Sequence, residues 1–372
     1  MVNKTIGMIT GNFRCDALQT LSQTRSIAAV PFGGRYRLLD FQLSNMVNSG
    51  LRTVGIITPQ QSRAILDQLG AGKSWFLDRK SGGLFILPGS HYGLHTRNNK
   101  FPLKDMANNI EFLTRDFAEN VIISTSNIIA NLDYKPILIN HAKEQADVTL
   151  LYLENKLEKE EEPRQLFILS EDKWVTGLEE GMAKGWQKTK YFANTLIIKR
   201  QLLIDILKGY EHIENLDLMD VVKENCKNLR VLSYPIHGYF GRVFSLQSYF
   251  QHSINLLNLS VQQELFREDN KIHTKIKDNP PTKYGEQAKV KNSLVSSGCN
   301  LQGEVNGSII FRGVQVEPGA IVRNSIIMHK SKIKKGVVLE NVILDKYVEV
   351  RANTVIKGED NDPIIIRKNH VV

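Results

Sequence analysis

The sequence holds 372 residues, enough for two or three domains of about 150 residues and for a sizeable core. Apolar residues make up 42% of the chain and charged residues 23%, which excludes a disordered, fibrous or low-complexity protein. No apolar run approaches the ~20 residues that span a bilayer, and the first residues lead directly into a strand-like segment. We therefore predict a cytoplasmic protein without a membrane partner.

The charge balance indicates the class of partner. The 48 Lys and Arg residues exceed the 39 Asp and Glu residues and give a net charge of +9, which favours anionic partners. The basic residues are spread along the chain without a cluster interleaved with aromatic residues, so we expect small phosphates and no nucleic acid. Cys15, Cys226 and Cys299 lie far apart without metal-ligand spacing, and we expect reduced thiols and no metal site.

The N-terminal part alternates short β-rich runs with longer amphipathic ones. Runs that are mostly rich in Ile, Val and Leu predict strands at Ile6–Thr10, Thr53–Thr58, Val121–Thr125, Asp147–Leu153 and Phe192–Ile198. Apolar residues three or four apart predict helices at Ser62–Leu69, Met106–Phe117, Lys135–Glu144, Gln201–Gly209 and Leu216–Asn225. This alternation predicts a Rossmann-like α/β domain over residues 1–258, with crossover helices on a largely parallel sheet.

A different periodicity follows. Residues 259–285 include Pro280 and Pro281 and are interpreted as a linker. Beyond it, apolar residues recur every six positions, three residues away from a set of small residues, and the apolar register resumes after a one-residue slip. The apolar set is Ile310, Val316, Val322, Met328, Ile333, Leu339, Leu344 and Val350, and the small set is Gly307, Gly313, Gly319, Ser325 and Ser331. Ordinary alternating strands do not explain the small set, so the pattern predicts a parallel β-helix over residues 286–372.

Several segments together closely resemble the ADP-glucose pyrophosphorylase (glucose-1-phosphate adenylyltransferase) family. They are AAVPFGGRYRLLDF at 28–41, LSNMVNSG at 43–50, KSW at 73–75, GGLFILP at 82–88, NLDY at 131–134 and VKNSLV at 290–295. The resemblance covers nearly the whole chain. It implies a nucleotidyltransferase domain followed by a left-handed parallel β-helix, a tetramer, and the synthesis of ADP-glucose from ATP and glucose 1-phosphate for glycogen.

The glycine-rich loop of this family departs from its pattern. The family places roughly GGxGTRL after the first strand, because backbone N–H groups and an arginine must approach the nucleotide phosphates. In the corresponding segment of this chain, Gly11 is the one remaining glycine and Arg14 stands near the loop arginine. Asn12, Phe13 and Cys15 add side chains where backbone is needed. We interpret Gly11 and Arg14 as the remnant of a nucleotide site in a strand-to-helix turn.

The two metal positions of the family are also changed. The resemblance implies two carboxylates that hold Mg²⁺ against the triphosphate. Alignment on Asp133 and Tyr134 puts Asn127 at the first position, and the segment from Gly238 to Leu246 puts Arg242 at the second. A neutral amide supplies no charge, and a cation repels the metal. We therefore expect no cofactor on this chain, and Mg²⁺ only on a catalytic partner.

Further family positions are lost together with these. Ile27 replaces a lysine, Phe101–Leu103 replaces a GTA segment, and Lys184 lies only loosely near the lysine that binds the sugar phosphate. The chain thus resembles the non-catalytic D-type glycogen-biosynthesis subunits of Gram-positive bacteria. This implies a regulatory or assembly subunit that forms homo-oligomers alone and a hetero-tetramer with a catalytic subunit.

Three readings stay open. The first alternative is a weakly active glucose-1-phosphate adenylyltransferase. The second is a hexapeptide-repeat acyltransferase with His329 as base, although a histidine inside a coil repeat is more typical of a solvated turn.

Arg25 and Arg37 match positions at which related enzymes bind an anionic sugar-phosphate effector. An ion pair between Arg37 and Asp40 explains Arg37 equally well.

Overall fold

The computed structural model describes residues 4–10, 15–58, 62–89, 100–155, 165–181, 189–210, 212–213, 215–360 and 362–372. The chain divides into two compact units. Unit 1 contains Met1–Phe13, Phe41–Phe240 and Glu268–His273, and unit 2 contains Arg14–Asp40, Gly241–Arg267 and Thr274–Val372. In these described ranges, no helix has the length and apolar character that a bilayer crossing requires.

Elements are numbered along the chain. The first strands are β1 (Thr5–Thr10), β2 (Pro31–Phe32), β3 (Tyr36–Arg37), β4 (Thr53–Thr58), β5 (Gly83–Pro88), β6 (Asn120–Thr125), β7 (Ile128–Ala130), β8 (Val148–Asn155), β9 (Gln165–Glu171), β10 (Trp174–Gly181), β11 (Thr189–Lys199), β12 (Val231–Pro235) and β13 (Phe240–Arg242). The α-helices are α1 (Leu38–Asn48), α2 (Arg63–Leu69), α3 (Leu103–Ala107), α4 (Ile110–Thr114), α5 (Lys135–Lys143), α6 (Arg200–Gly209), α7 (Leu218–Asn225), α8 (Leu246–Asn255) and α9 (Leu259–Leu265).

Unit 1 is built on one mixed sheet with the strand order β5-β4-β1-β6-β11-β8-β12-β10-β9. Strands β5, β4, β1 and β6 run parallel to one another, and so do β8 and β12. Strand β11 runs antiparallel to both β6 and β8. Inward residues such as Met8, Ile123 and Leu150 are completely buried and form the core with the helices. The predicted α/β class is confirmed.

Two details of unit 1 differ from the sequence prediction. The sheet is mixed because β11 runs antiparallel to both of its neighbours, β6 and β8, and β10 runs antiparallel to β12. The single helix predicted at Met106–Phe117 is two short helices, α3 and α4. The break lies at Asn109, whose side-chain amide donates to the carbonyls of Asp105 at 2.7 Å and Pro88 at 2.8 Å. Such side-chain bonds compete with a continuous helix.

The C-terminal part of unit 2 is a left-handed parallel β-helix, as predicted. Its strands are β14 (Lys283–Tyr284), β15 (Lys289–Lys291), β16 (Leu294–Val295), β17 (Asn300–Leu301), β18 (Glu304–Asn306), β19 (Ile309–Ile310), β20 (Gln315–Val316), β21 (Ile321–Arg323), β22 (Ile326–Ile327), β23 (Lys332–Ile333), β24 (Val338–Glu340), β25 (Val342–Leu344), β26 (Glu349–Val350), β27 (Val355–Lys357) and β28 (Ile364–Ile366). They form three parallel sheets of five strands each.

The strand register explains the one-residue slip in the repeat. Ile310 pairs with Ile327, and Ile327 pairs with Leu344, so one coil takes 17 residues where three hexapeptides would take 18. The interior position of that coil is therefore Ile327, and the assignment of Met328 to the interior column is wrong. Met328 is buried, but it lies outside the apolar cluster that fills the β-helix.

The predicted linker contains regular structure. Helix α9 lies inside residues 259–285, and the Asn258 side chain caps it by accepting from the Ser260 N–H at 3.1 Å. Residues 266–282 then hold neither helix nor strand.

Unit 2 is not the β-helix alone. Strands β2 and β3 form a hairpin whose turn contains Gly33 and Gly34, both at positive φ. A hydroxyl contact ties this hairpin to the β-helix, since Ser296 Oγ donates to the Gly34 carbonyl at 3.0 Å. Helix α8 packs against it through Tyr249, whose hydroxyl donates to the Pro31 carbonyl at 2.8 Å. Residues far apart in sequence are thereby fixed around one face of the β-helix.

Candidate functional site

A column of three basic or titratable residues runs across successive coils of the β-helix. Arg312, His329 and Lys346 are spaced by 17 residues, the length of a coil, and each lies two positions after one of the paired residues Ile310, Ile327 and Leu344. Backbone bonds between adjacent coils continue past this column, from the Lys330 N–H to Arg312 and from the Tyr347 N–H to His329. Strands in neighbouring coils lie about 4.8 Å apart, so Arg312 and Lys346 lie on either side of His329 in this column.

Residues 25–37 of unit 2, which include the β2–β3 hairpin and are called the hairpin segment here, contribute three arginines. Arg25 is almost completely buried, and its Nη2 lies 2.7 Å from Asp345 Oδ2. Arg37 belongs to β3, and Arg35 stands beside it with its guanidinium 5.2 Å from the centre of the Tyr36 ring. We call Arg25, Arg35, Arg37, Lys277, Arg312 and Lys346 together the basic cluster.

The pKa of Lys346 reports the crowding of positive charge. Burial, and then the charges of Arg37 and Arg25, lower it to about 7 against an opposing effect of Asp345. The Lys346 backbone N–H donates to Asp345 Oδ1 at 2.7 Å, while the other oxygen of that carboxylate accepts from Arg25. Asp345 is therefore engaged on both oxygens. Near neutral pH a substantial fraction of Lys346 lacks its proton.

His329 lies in the middle of this field. Burial lowers its pKa to about 2, and the charges of Lys346, Lys277, Arg312 and Arg37 act in the same direction. Its ring lies 5.1 Å from that of Phe311, and its buried Nδ1 has no hydrogen-bond partner among the described residues. His329 is thus partly buried and neutral, and it is not the solvated turn residue that the sequence favoured.

The remaining members show the same effect. Burial and then Arg37, Arg312 and other cations lower the pKa of Lys277. Burial and then Arg35 lower the pKa of Arg312, while Asp40 acts in the opposite direction. The six basic side chains thus repel one another, and the carboxylates of Asp40 and Asp345 oppose this repulsion. An anion with several oxygens would relieve this repulsion and accept hydrogen bonds from guanidinium groups.

Arg25 and Arg37, the two effector candidates of the sequence, therefore lie in the same cluster. Asp40 Oδ2 accepts from the backbone N–H of Arg37 at 3.0 Å, and the ion pair between the two side chains stays a prediction. Sequence reasoning missed Lys277, Arg312 and Lys346. The 17-residue spacing of Arg312, His329 and Lys346 is the signal that identifies the column, but it becomes readable only when the coil length is known.

The two residues that the resemblance places at metal positions, Asn127 and Arg242, carry no carboxylate. Asn127 lies in the turn between β6 and β7 and is 6% exposed. Arg242 ends β13 and is 7% exposed, and its backbone N–H donates to His252 Nε2 at 3.2 Å. Burial lowers the pKa of His252 to about 4, so this ring accepts in its neutral form. A guanidinium repels Mg²⁺, and an amide oxygen is a neutral ligand without the charge of a carboxylate, so neither residue replaces an anionic ligand.

Three site residues named from the sequence, Gly11, Arg14 and Lys184, lie outside the described residues. Their roles remain predictions.

Two family profiles match this chain, one in its N-terminal part and one in its C-terminal part. The sequence profile of the nucleotidyl transferase family matches residues 15–163, and that of the GlmU-like C-terminal hexapeptide family matches residues 280–364. The chain is 34% identical to the glycogen biosynthesis protein GlgD of Bacillus subtilis (strain 168) over 370 residues, which cover 99% of this chain and 97% of that protein. Identity to GlgD of Geobacillus stearothermophilus is also 34%, over 100% of this chain and 98% of the relative. Glucose-1-phosphate adenylyltransferase of Bacillus anthracis is 29% identical over 98% of this chain and 97% of its own length.

Proposed function

The chain belongs to the family of the GlgD glycogen biosynthesis proteins and the glucose-1-phosphate adenylyltransferases, and from this we propose that it is a regulatory and assembly subunit in glycogen biosynthesis. It does not itself catalyse the synthesis of ADP-glucose. Its partner is a catalytic glucose-1-phosphate adenylyltransferase, which binds the Mg²⁺ that the reaction needs. Both chains act in the cytoplasm.

The observation that carries this proposal is the chemistry at Asn127 and Arg242. Adenylyl transfer brings the phosphate of the sugar against the α-phosphorus of ATP, and pyrophosphate leaves. A divalent cation lowers the repulsion between these groups. Neither an amide nor a guanidinium supplies the anionic oxygen that would hold such a cation at these positions. Retention of the complete two-part architecture beside this loss favours a role in assembly and regulation.

The basic cluster supports the regulatory half of the proposal. Its arginines and lysines belong to unit 2, and their mutual repulsion favours a ligand that carries negative charge. We assign to it an anionic effector of the sugar-phosphate class. The relatives of this chain match it over nearly their full lengths. A catalytic chain of similar size is therefore the expected partner in a mixed tetramer. In the absence of that partner the chain forms homo-oligomers.

The purified chain alone should release pyrophosphate from ATP and glucose 1-phosphate at a negligible rate with excess Mg²⁺. The double substitution Asn127→Asp and Arg242→Asp should restore little activity, because the glycine-rich loop is also changed. Turnover within about tenfold of an active relative, roughly 1.4 kcal/mol of activation free energy, would contradict the proposal and support the weakly active enzyme instead.

The regulatory role is tested by mixing the chain with the catalytic adenylyltransferase of the same organism. Size-exclusion chromatography should show a mixed tetramer, and the assay should show changed kinetics or a changed response to sugar phosphates. The substitution Arg37→Gln should reduce the effector response of the mixed enzyme, whereas Arg323→Gln, in an exposed ion pair with Glu304, should leave it unchanged. Separate elution with unaltered kinetics would disprove the role.

A further inference from the structure

Unit 1 contains a pocket that the proposed regulatory function does not use. Its volume is about 360 Å³, within the range of sites for small ligands. Asn140 from α5, Tyr152 from β8, the turn residues Asp172 and Lys173, and Tyr234 with its neighbours on β12 line it. All of these residues belong to unit 1.

The pocket exists because β10 pairs with only the first part of β12. The register between them contains Trp174 opposite Leu232, and the Ser233 N–H then donates to the Lys173 carbonyl at 2.8 Å. The chain reverses at Asp172, which has a φ of 54°. The last residues of β12 therefore extend past the β9–β10 turn, and the end of α5 closes the recess from the side.

The wall of this pocket carries hydrogen-bonding groups without protein partners. The hydroxyls of Tyr152 and Tyr234 make no hydrogen bond to any residue that the structure describes. The side-chain oxygen of Asn140 is shielded from solvent and likewise has no donor within the described part of the chain. The two phenol hydroxyls are not among the shielded atoms, so a ligand that offers hydroxyl groups can donate to them and accept from them.

The charges of the pocket exclude other ligand classes. Lys173 is the cation of its wall, and it is held by Glu144 at 2.8 Å. The carboxylate of Asp172 is exposed at the rim. Lys173 is thus already paired and the Asp172 carboxylate repels a phosphate, while an apolar ligand would bury the phenol and amide groups without partners. A neutral ligand with many hydroxyls satisfies the phenols, the amide and Asp172, while its C–H faces pack on Leu232, Pro235 and the tyrosine rings.

We propose that this pocket binds a glucosyl unit of an α-glucan chain. The hydroxyl-rich neutral ligand follows from the pocket itself, while the choice of glucose among neutral sugars rests on the proposed function in glycogen biosynthesis. The subunit would then hold the polymer whose precursor its partner supplies. Occupancy needs neither nucleotide nor metal, and it does not involve the basic cluster.

The test is the binding of maltotriose and maltoheptaose to the full-length chain alone, followed by saturation-transfer difference NMR. The glucosyl protons should receive saturation, and an excess of glucose 1-phosphate or ATP should not remove it. Tyr234→Ala should weaken binding at least tenfold, and Asn140→Leu should weaken it measurably. Tyr284→Ala, which removes an exposed tyrosine of unit 2, should have no effect.

Tyr234→Phe separates loss of binding from loss of folding, because it keeps the ring and removes only the hydroxyl. It should weaken maltotriose binding without lowering the melting temperature. The proposal fails if neither oligosaccharide binds, if binding survives both Tyr234 substitutions, or if a sugar phosphate displaces the glucan. Since no partner is present, these outcomes are independent of the activity measured in the mixed enzyme.

Discussion

Arg25 and Asp345 form an ion pair in which both side chains are almost fully withdrawn from water. The pair joins the hairpin segment of unit 2 to the β-helix across 320 positions of sequence. Its attraction is opposed by the cost of removing both charges from water, so its net contribution to stability is small. Loss of one partner is another matter, because the second charge then stays buried without compensation.

We therefore expect Asp345→Asn to lower the free energy of unfolding by about 3–5 kcal/mol. The Arg25 guanidinium would be left among other cations with no carboxylate against it. The double variant Arg25→Met with Asp345→Asn should recover part of this loss. Urea denaturation followed by circular dichroism measures both.

Glu304→Gln provides the matched control for Asp345→Asn, since it breaks the exposed pair with Arg323. It should cost less than about 1 kcal/mol. An equal effect of the two substitutions would mean that the buried pair is not special.

Lys346 makes the basic cluster sensitive to pH. Its pKa of about 7 means that the neutral amine predominates above neutrality. A bound anion favours the ammonium form and raises this pKa, so binding takes up a proton and weakens as the pH rises above 7. The same depression of the pKa destabilises the fold as the pH falls from about 10 to about 7, because in this range the unfolded chain binds a proton that the folded state does not, and the penalty is constant below pH 7.

Sulfate is the suitable probe, since its own charge is constant between pH 6 and pH 9. Its dissociation constant should rise with pH above 7, by at most about tenfold per pH unit for one proton. Lys346→Arg should bind sulfate with little pH dependence, and Lys346→Gln should bind weakly at every pH. Lys335→Gln, at an exposed lysine, should reproduce the wild type. A flat pH profile in the wild type would refute the assignment.

At the scale of the element, the β2–β3 hairpin depends on a turn that only glycine fits well. Gly34 has a φ of 80°, and a Cβ there would lie 2.6 Å from Ser296 Oγ. That hydroxyl also donates to the Gly34 carbonyl. The hairpin carries Arg37, so its geometry also positions part of the basic cluster.

Gly34→Ala should accordingly cost roughly 1–3 kcal/mol of stability through backbone strain and this contact. It should also weaken sulfate binding. Gly209→Ala serves as the control, because a Cβ at Gly209 meets nothing within 4 Å and no positive φ is required. Melting temperatures and sulfate titrations of both variants test this prediction. An unchanged melting temperature and unchanged sulfate affinity of Gly34→Ala would show that the hairpin turn does not position the basic cluster.

The small residues of the β-helix have a role beyond their size. Ser325 Oγ donates to the Arg323 carbonyl at 2.6 Å and accepts from the Val342 N–H of the next coil at 3.1 Å. Ser331 Oγ does the same with the Asp345 carbonyl and the Val348 N–H. Serine therefore satisfies backbone groups of the same coil and of the next one.

At the scale of the whole molecule, the relatives match over almost their entire lengths, and the chain holds an α/β unit and a β-helix-containing unit. In our proposal, the catalytic chemistry at Asn127 and Arg242 is lost within this intact framework. The chain has a net charge of +9, and the six residues of the basic cluster in unit 2 contribute to it. The mixed tetramer and the glucan pocket are proposals at this scale.

The sequence by itself determined the alternating α/β pattern, the strands near Thr53–Thr58 and Asn120–Thr125, and the hexapeptide repeat. These features follow from the local periodicity of apolar residues, which is visible in the sequence alone. The motif resemblance also predicted Arg25 and Arg37 as residues that bind an effector. Tertiary structure alone decided that β11 runs antiparallel, that Ile327 and not Met328 fills the interior, and that Lys346 and Arg312 join those arginines. Strand direction, coil length and the pairing of Arg25 with Asp345 depend on residues far apart in sequence, and no local pattern contains that information.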